Sequence, residues 1–212
     1  LPDPKIGRTS EESIMGQLQS QTVLFDTPGP ANTDRTLALA YARARELGLQ
    51  AALVATTTGA TGRQAVHALA GLEVVVVTHS TGFKRANHQE LTVGNRSAIE
   101  AAGGRILTCQ HAFGGVNRAV RKKLGSYQLD EIIAHTLRLW GEGTKVALEI
   151  ALMATDAGLV STDRPILSLG GTGRGADTAL VIVPANAQAF FDLRILEVIC
   201  RPAPGHPGFA GG

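Results

Sequence analysis

Aromatic side chains are scarce: six Phe, two Tyr and one Trp make up 4% of the 212 residues, too few for a platform on which successive bases stack. An excess of charge of one sign is also lacking. Lys and Arg number 20 against 18 Asp and Glu, and the net charge of +2 is spread along the chain, with no basic stripe to follow a phosphodiester backbone. Nucleic acid is therefore not an expected partner. No apolar run approaches the roughly 20 residues that span a bilayer, and the first residues lack the basic-then-apolar order of a secretory signal. No membrane partner is expected, and the chain reads as cytoplasmic. It begins at Leu1 instead of Met, which is read as a processed or truncated start. Cysteine is limited to Cys109 and Cys200, far apart and without CxxC spacing, so both are expected to be buried thiols in a reducing compartment. No grouping of His, Cys and acidic residues has metal-ligand spacing, and no metal is expected.

Glycine, by contrast, is abundant at 25 residues, and two clusters of it organise the rest. The first is Leu169-Gly170-Gly171-Thr172-Gly173-Arg174-Gly175-Ala176-Asp177-Thr178, set between the apolar runs 166–169 and 179–183. Its glycines allow positive φ, so successive N–H groups can converge on one anion, while Arg174 adds a fixed charge and Thr172 and Thr178 add hydroxyls. The second, Thr56-Thr57-Thr58-Gly59-Ala60-Thr61-Gly62-Arg63, leaves the apolar run 51–55 and enters a helix. That order places free N–H groups and the positive end of a helix dipole at an anion. Together the two loops predict one phosphate site.

The remainder of the chain supplies the scaffold. Residues 1–20 read as a lead-in with one helical turn over 11–19, and residues 22–25 as a short strand stopped by Asp26-Thr27-Pro28-Gly29-Pro30. Asn32 or Thr33 then caps a helix whose Leu37, Ala40, Tyr41, Ala44 and Leu47 follow the helical period to Gly48. Runs 51–55 and 74–77 are apolar on both faces, as in central parallel strands. Helices are expected from near Thr61, from about Asn87 to Ala102, over 116–124, over 131–140 capped by Asp130, and over 145–157 capped by Thr144. Residues 105–108 form a further strand. Glu149, in an otherwise apolar helix, is expected to pair with Lys145 one turn back. Eight residues between the strands at 166–169 and 179–183 are too few for a parallel crossover, so these two pair antiparallel. A short helix at 187–191, a last strand at 195–199 and a flexible tail at 203–212 complete a single α/β domain over 21–202.

Other motifs are weaker. Gly171-x-Gly173-x-Gly175 is not a dinucleotide fingerprint, because a strand and not a helix follows it. The loop at residues 56–63 lacks the Gly-Lys-Ser/Thr of a P-loop. His79, His111 and Phe83 fall just past strand ends, where an α/β sheet presents ligand groups, whereas His67, His88, His135 and His206 fall on helices or the tail. The basic run Arg118, Arg121, Lys122 and Lys123 reads as a solvated face. No Ser-His-Asp order or nucleophile elbow is present, and no catalytic residue is assigned.

At these loops the sequence resembles the carboxy-terminal α/β domain of pyruvate kinase. Residues 51–64, AALVATTTGATGRQ, look like that domain's first strand and its Thr-Lys-Ser-Gly-Arg-Ser loop, and residues 166–180 look like its last strand pair with the glycine-rich loop between. Residues 22–202 are similar to a family of free-standing proteins of uncertain function with the same fold. That likeness is carried by Phe25-x-x-Pro28-Gly29-x-x-Asn32-Thr33, Val77-Thr78-His79, residues 136–158 and 170–179, and Phe190-Phe191-Asp192-Leu193. The resemblance implies a three-layer α/β/α fold with a mostly parallel sheet and one antiparallel strand, its strands side by side in the order 105–108, 73–77, 51–55, 166–169, 179–183. In pyruvate kinases activated by a sugar bisphosphate these two loops bind the activator's phosphates. Here Thr57 stands where the kinase loop has lysine, and the catalytic barrel is absent.

The expected function is binding of a phosphorylated small molecule. Thr57, Thr58, Gly59, Thr61, Gly171, Thr172, Gly173, Arg174, Gly175, Asp177 and Thr178 are expected around the phosphate, with Asn32, Thr33, His79, Phe83 and His111 near the rest. The resemblance makes flavin mononucleotide (FMN) the first candidate. Two other functions stay open: a flavin-dependent enzyme with His79 or His111 as proton donor, and a regulatory module that forms a homo-oligomer in response to a phosphorylated metabolite.

Overall fold

The computed structural model describes residues 17–206. Most of the expected turn at 11–19 and residues 207–212 of the expected tail lie outside that span, and residues 17–22 form no helix or strand. Among the described residues seven strands form one sheet: β1 (Val23–Phe25), β2 (Ala51–Thr56), β3 (Glu73–Thr78), β4 (Arg105–Thr108), β5 (Ile166–Gly170), β6 (Thr178–Val183) and β7 (Arg194–Pro202). Their order across the sheet is β1-β7-β6-β5-β2-β3-β4. The central order is the one expected. Strand β6 runs antiparallel to both neighbours, β5 and β7, and all other pairings are parallel. The two outer strands that the resemblance does not place sit beyond β6, where Val23 pairs with Cys200 and Phe25 with Pro202.

Strands apolar on both faces require a helical layer on each side. Helices α1 (Thr33–Leu47), α2 (Ala60–Ala68) and α3 (Val93–Ala101) cover one face: Leu37, Ala40, Ala65, Val66 and Ile99 pack with Ala52, Val54, Val76, Leu167 and Leu169. On the other face Ala147, Ile150, Ala151 and Ala154 of α6 (Glu142–Asp156) pack with the alternate strand residues Leu53, Val75, Val77, Ile166 and Leu180. The period of two in a strand sends neighbouring side chains to opposite layers. Helix α5 (Leu129–Leu137) packs on α6, and α4 (Val116–Leu124) packs on α5; α4 buries no residue, as its charged sequence anticipates.

Contact between α6 and the strands β5 and β6 is close because two glycines allow it. A methyl at Gly170 would collide with the Gly143 carbonyl, and one at Gly143 with the Thr178 hydroxyl. The Ser168 hydroxyl, fully buried, donates to Ala147 O at 2.7 Å. This brings the first turns of α6 over the carboxyl end of the sheet, where the glycine loops emerge.

Several helix ends differ from expectation for local reasons. Helix α3 starts at Val93, where the Thr92 hydroxyl accepts the Asn95 N–H at 3.2 Å; Asn87 has φ 58 and belongs to the preceding loop. Asp130 lies in the first turn of α5 and is not its cap, and residues 138–140 continue as a short 3-10 helix. Gly141 precedes the first residue of α6, and the Thr144 hydroxyl donates back to Trp140 O at 3.1 Å. Asn32 does precede α1, yet its side chain donates to Thr27 O at 2.8 Å and leaves the helix N–H groups alone. Cys200 is buried as expected, whereas Cys109 is half-buried. Among the described residues no helix is long and apolar enough to cross a membrane.

Candidate functional site

The chain leaves β2 toward β3 and β4 on one side, while β5 lies on the other. That divergence opens a crevice at the carboxyl ends of β2 and β5, the place where an open α/β sheet takes its ligand. A cavity of about 620 Å³ lies there, within the 300–1,000 Å³ or so of small-molecule sites. Both glycine loops line it, through Thr57, Thr58 and Thr61 on one side and Gly171, Gly173, Arg174 and Gly175 on the other.

In the first loop the buried Thr56 hydroxyl accepts the N–H groups of Gly59 and Gly62 at 3.1 and 3.4 Å, which turns the chain from β2 into α2. Gly59 has φ 94, and a methyl there would lie 2.5 Å from Asn95 Cβ. Gly59 thus shapes the loop and does not itself line the cavity. The Asn95 amide ties the loop to α3 by donating to Thr58 O at 2.9 Å. The first turn of α2, whose leading N–H groups have no acceptor within the helix, faces the crevice through Ala60 and Thr61.

Beneath the second loop lies Asp177, which is 0% exposed. One carboxylate oxygen accepts the N–H groups of Gly29 and Thr172 at 2.9 and 3.1 Å, and the other accepts the Thr178 hydroxyl at 2.9 Å. Asp177, Thr178 and Thr172 therefore spend these groups on holding the loop, and none of the three lines the cavity. Thr33 does line it, and its hydroxyl accepts the Ala176 N–H at 3.1 Å. Gly175, with φ 73, lets this loop rest on Pro30, whose Cα would sit 2.5 Å from an added methyl. Asn32 does not reach the cavity. Asp34 on α1 is the one lining carboxylate without an ion-pair partner among the described residues.

Across the crevice, beyond β3 and β4, stand His79, Phe83 and His111. The Phe83 and His111 rings stack at 4.9 Å between centroids, and Phe83 lies 4.2 Å from the His79 ring. His79 Nδ1 meets the Glu90 carboxylate at 2.8 Å, which also binds Lys84 at 2.8 Å. Between the two walls Ala55, Val77, Val146, Ile150 and Met153 make an apolar floor. Beside it the Lys145 ammonium is bonded to the Glu149 carboxylate, with only 4% and 3% of these residues exposed. Glu149 also accepts the Phe113 N–H at 3.0 Å and lies 3.7 Å from His111 Nδ1.

His111 accepts the Ser80 N–H at Nε2, 3.4 Å away, an arrangement that suits the neutral ring protonated at Nδ1. Burial, opposed by Glu149 and reinforced by His79, Lys145 and Arg118, pushes its pKa down from 6.5 to about 4. Because the folded pKa lies below the unfolded one, the unfolded chain takes up the proton first as pH falls. His111 should then remove up to about 3 kcal/mol of stability between about pH 7 and pH 4, at about 1.36 kcal/mol per unit, and no more below that. Urea unfolding of the parent and His111→Gln across this range checks it: the parent should lose stability faster, and parallel curves would refute the assignment.

The family model for the pyruvate kinase alpha/beta domain matches residues 34–182. The chain belongs to that family. Both glycine loops, strands β2 to β5 and all of β6 but its last residue fall within the matched span, while β1 and β7 lie outside it. Thr57 lines the cavity. Sequence reasoning did not place Lys145, Glu149, Arg118 or the Arg138–Glu142 ion pair in the site, although all of them line the cavity. A carboxylate in an apolar helix was the signal for Glu149; Arg118 was hidden in a run of ordinary surface charge.

Proposed function

We propose that this domain binds a phosphorylated small molecule, with the phosphate between the two glycine loops and the body of the ligand over the apolar floor toward Phe83. The observation that carries this reading is that two loops far apart in sequence line one cavity and present to it a helix N-terminus and the Arg174 side chain. Preorganised N–H groups with one guanidinium form a site for a dianion. FMN is the first candidate, since its planar ring system suits a floor made of Ala55, Val77, Val146, Ile150 and Met153. Calorimetric titration with FMN, together with mass spectrometry of whatever small molecule copurifies, tests it. Arg174→Ala should weaken phosphate-ligand binding by about 1.5–3 kcal/mol, the range for a hydrogen bond to a charged group, with an unchanged melting temperature. Equal affinity in variant and parent would remove Arg174 from the site.

A flavin-dependent enzyme is a narrower version of the same reading. With its pKa near 4, His111 is neutral at physiological pH and is a poor proton donor, which leaves His79 for that role. A homo-oligomeric regulatory module is favoured by a different observation, the exposed apolar side chains of Leu129, Ile132, Leu139 and Trp140 on and just after α5. Sedimentation with and without a panel of phosphorylated metabolites separates it from a simple binding protein.

A further inference from the structure

Folding accounts for Glu149 but not for Lys145. The Glu149 carboxylate accepts the Phe113 N–H at 3.0 Å and lies 3.7 Å from His111 Nδ1, so a backbone donor that would otherwise be stranded depends on it. Lys145 serves no backbone group: among the described residues its ammonium hydrogen-bonds Glu149 alone, which leaves N–H donors unspent. An uncharged apolar pair in place of two buried charges is often as stable or more so. Yet Lys145 stands in the wall of the cavity, with 4% of the residue exposed.

Helix α6 sets where the amine lies. Its Gly143 packs against the Thr178 hydroxyl and against Gly170, so the first turn of α6 stands over the strand ends that carry the second glycine loop. Lys145 follows about 3 Å further along the axis, and its ammonium is 5.8 Å from the centre of the Phe113 ring. The amine is thereby held between the loops read as the phosphate site and His111, beside Val146, Ile150 and Met153 of the floor. A lysine desolvated by apolar neighbours, with a base in hydrogen-bond contact, has what an amine needs to attack a carbonyl carbon. Glu149 is that base, and the Phe113 N–H keeps it in place.

We infer that Lys145 is a reactive amine, and that this crevice takes phosphorylated aldehydes or ketones, held by the phosphate and joined to Lys145 as an imine. The ammonium passes one proton to Glu149, and the neutral Nζ attacks the carbonyl carbon. The carbonyl oxygen takes a proton from the attacking nitrogen, giving a carbinolamine. Glu149 then returns its proton to the hydroxyl, the C–O bond breaks as the nitrogen lone pair forms the C=N bond, and water leaves. The products are one water and a protonated imine, with Glu149 again a carboxylate and no change of oxidation state. The inference rests on the reading of the glycine loops as a phosphate site and names a ligand class for it. FMN, whose carbonyls are amide-like, would bind without reacting.

The test uses the full chain and pyridoxal phosphate as a probe aldehyde. Deoxypyridoxal is the same aldehyde with a methyl group in place of the phosphate ester arm, and pyridoxine phosphate is the same phosphate with an alcohol in place of the aldehyde. After reduction with borohydride, peptide mass spectrometry reads which lysine is modified. Pyridoxal phosphate should label Lys145 at least about tenfold faster than the exposed Lys84, Lys122 and Lys123, as expected when a bound ligand holds its carbonyl beside the amine. Pyridoxine phosphate should protect Lys145 alone, and deoxypyridoxal should show no preference for it. Lys145→Arg, which keeps a cation beside Glu149, should lose the imine absorbance and still bind pyridoxine phosphate. Labelling of Lys145 no faster than the surface lysines overturns the inference, and if pyridoxine phosphate binds all the same, the reading of the glycine loops survives it. A preference for Lys145 that deoxypyridoxal shares in full overturns the phosphorylated ligand class, and that reading with it.

Discussion

Replacing Asp177 with alanine is expected to lower the free energy of unfolding by about 3–5 kcal/mol, through the donors it would strand at about 1–3 kcal/mol each. The carboxylate is fully buried, and among the described residues no cation pairs with it. Its charge is carried instead by the Gly29 and Thr172 amides and the Thr178 hydroxyl. Because Gly29 belongs to the segment before α1 and Thr172 to the loop after β5, the carboxylate ties together two pieces of chain that also touch where Gly175 rests on Pro30 and Ala176 donates to Thr33. Asp177→Asn keeps the shape but turns an amide nitrogen toward an N–H or a hydroxyl proton, so an intermediate loss of about 1–3 kcal/mol is expected. Urea unfolding measures both. A loss below about 1 kcal/mol in the alanine variant would mean that the stranded donors find other acceptors. Phosphate-ligand affinity should fall with loop order even though Asp177 does not line the cavity, which separates it from Arg174, whose loss is expected to leave stability unchanged.

Asp177 also marks a limit of sequence reading. An acidic residue at the edge of a glycine-rich loop carries no sign of whether it faces outward to a ligand or inward to the loop's own amides. The answer depends on Gly29, which lies at the other end of the chain in sequence. The sheet, by contrast, was legible. Runs such as residues 74–77, apolar at every position, require cover on both faces, and the short link between β5 and β6 permits only an antiparallel pair. The order of the central strands came through the resemblance, and the family match now covers it. Beyond that match, β1 and β7 pair with each other through three residues of β1, a long-range contact that no local pattern announces. The crevice was legible as two loops but not as a cavity. Its far wall depends on how the loop after β3 folds back, with Asn87 at positive φ and Phe83 laid against His111.

Breaking the Lys145–Glu149 pair from one side should be as damaging as losing Asp177. Glu149→Leu leaves the Lys145 ammonium in a site where 4% of the residue is exposed, and strands the Phe113 N–H as well. Removing one partner of a buried ion pair costs about 3–5 kcal/mol, because the other charge stays desolvated and alone. The double replacement Lys145→Met with Glu149→Leu, similar in volume and free of charge, should recover most of that loss, since such swaps are neutral or stabilising by about 1–4 kcal/mol. Urea unfolding of the two single variants and the double variant measures the coupling. A Glu149→Leu variant within about 1 kcal/mol of the parent would show that Lys145 reaches water. The double variant then distinguishes a structural pair from a functional one: both residues line the cavity, so a stable double variant that still binds the phosphorylated ligand with parental affinity assigns the pair to folding alone. A stable double variant that loses the ligand assigns it to the site, with the ammonium aimed at the ligand's anionic or carbonyl oxygens and Glu149 holding it there.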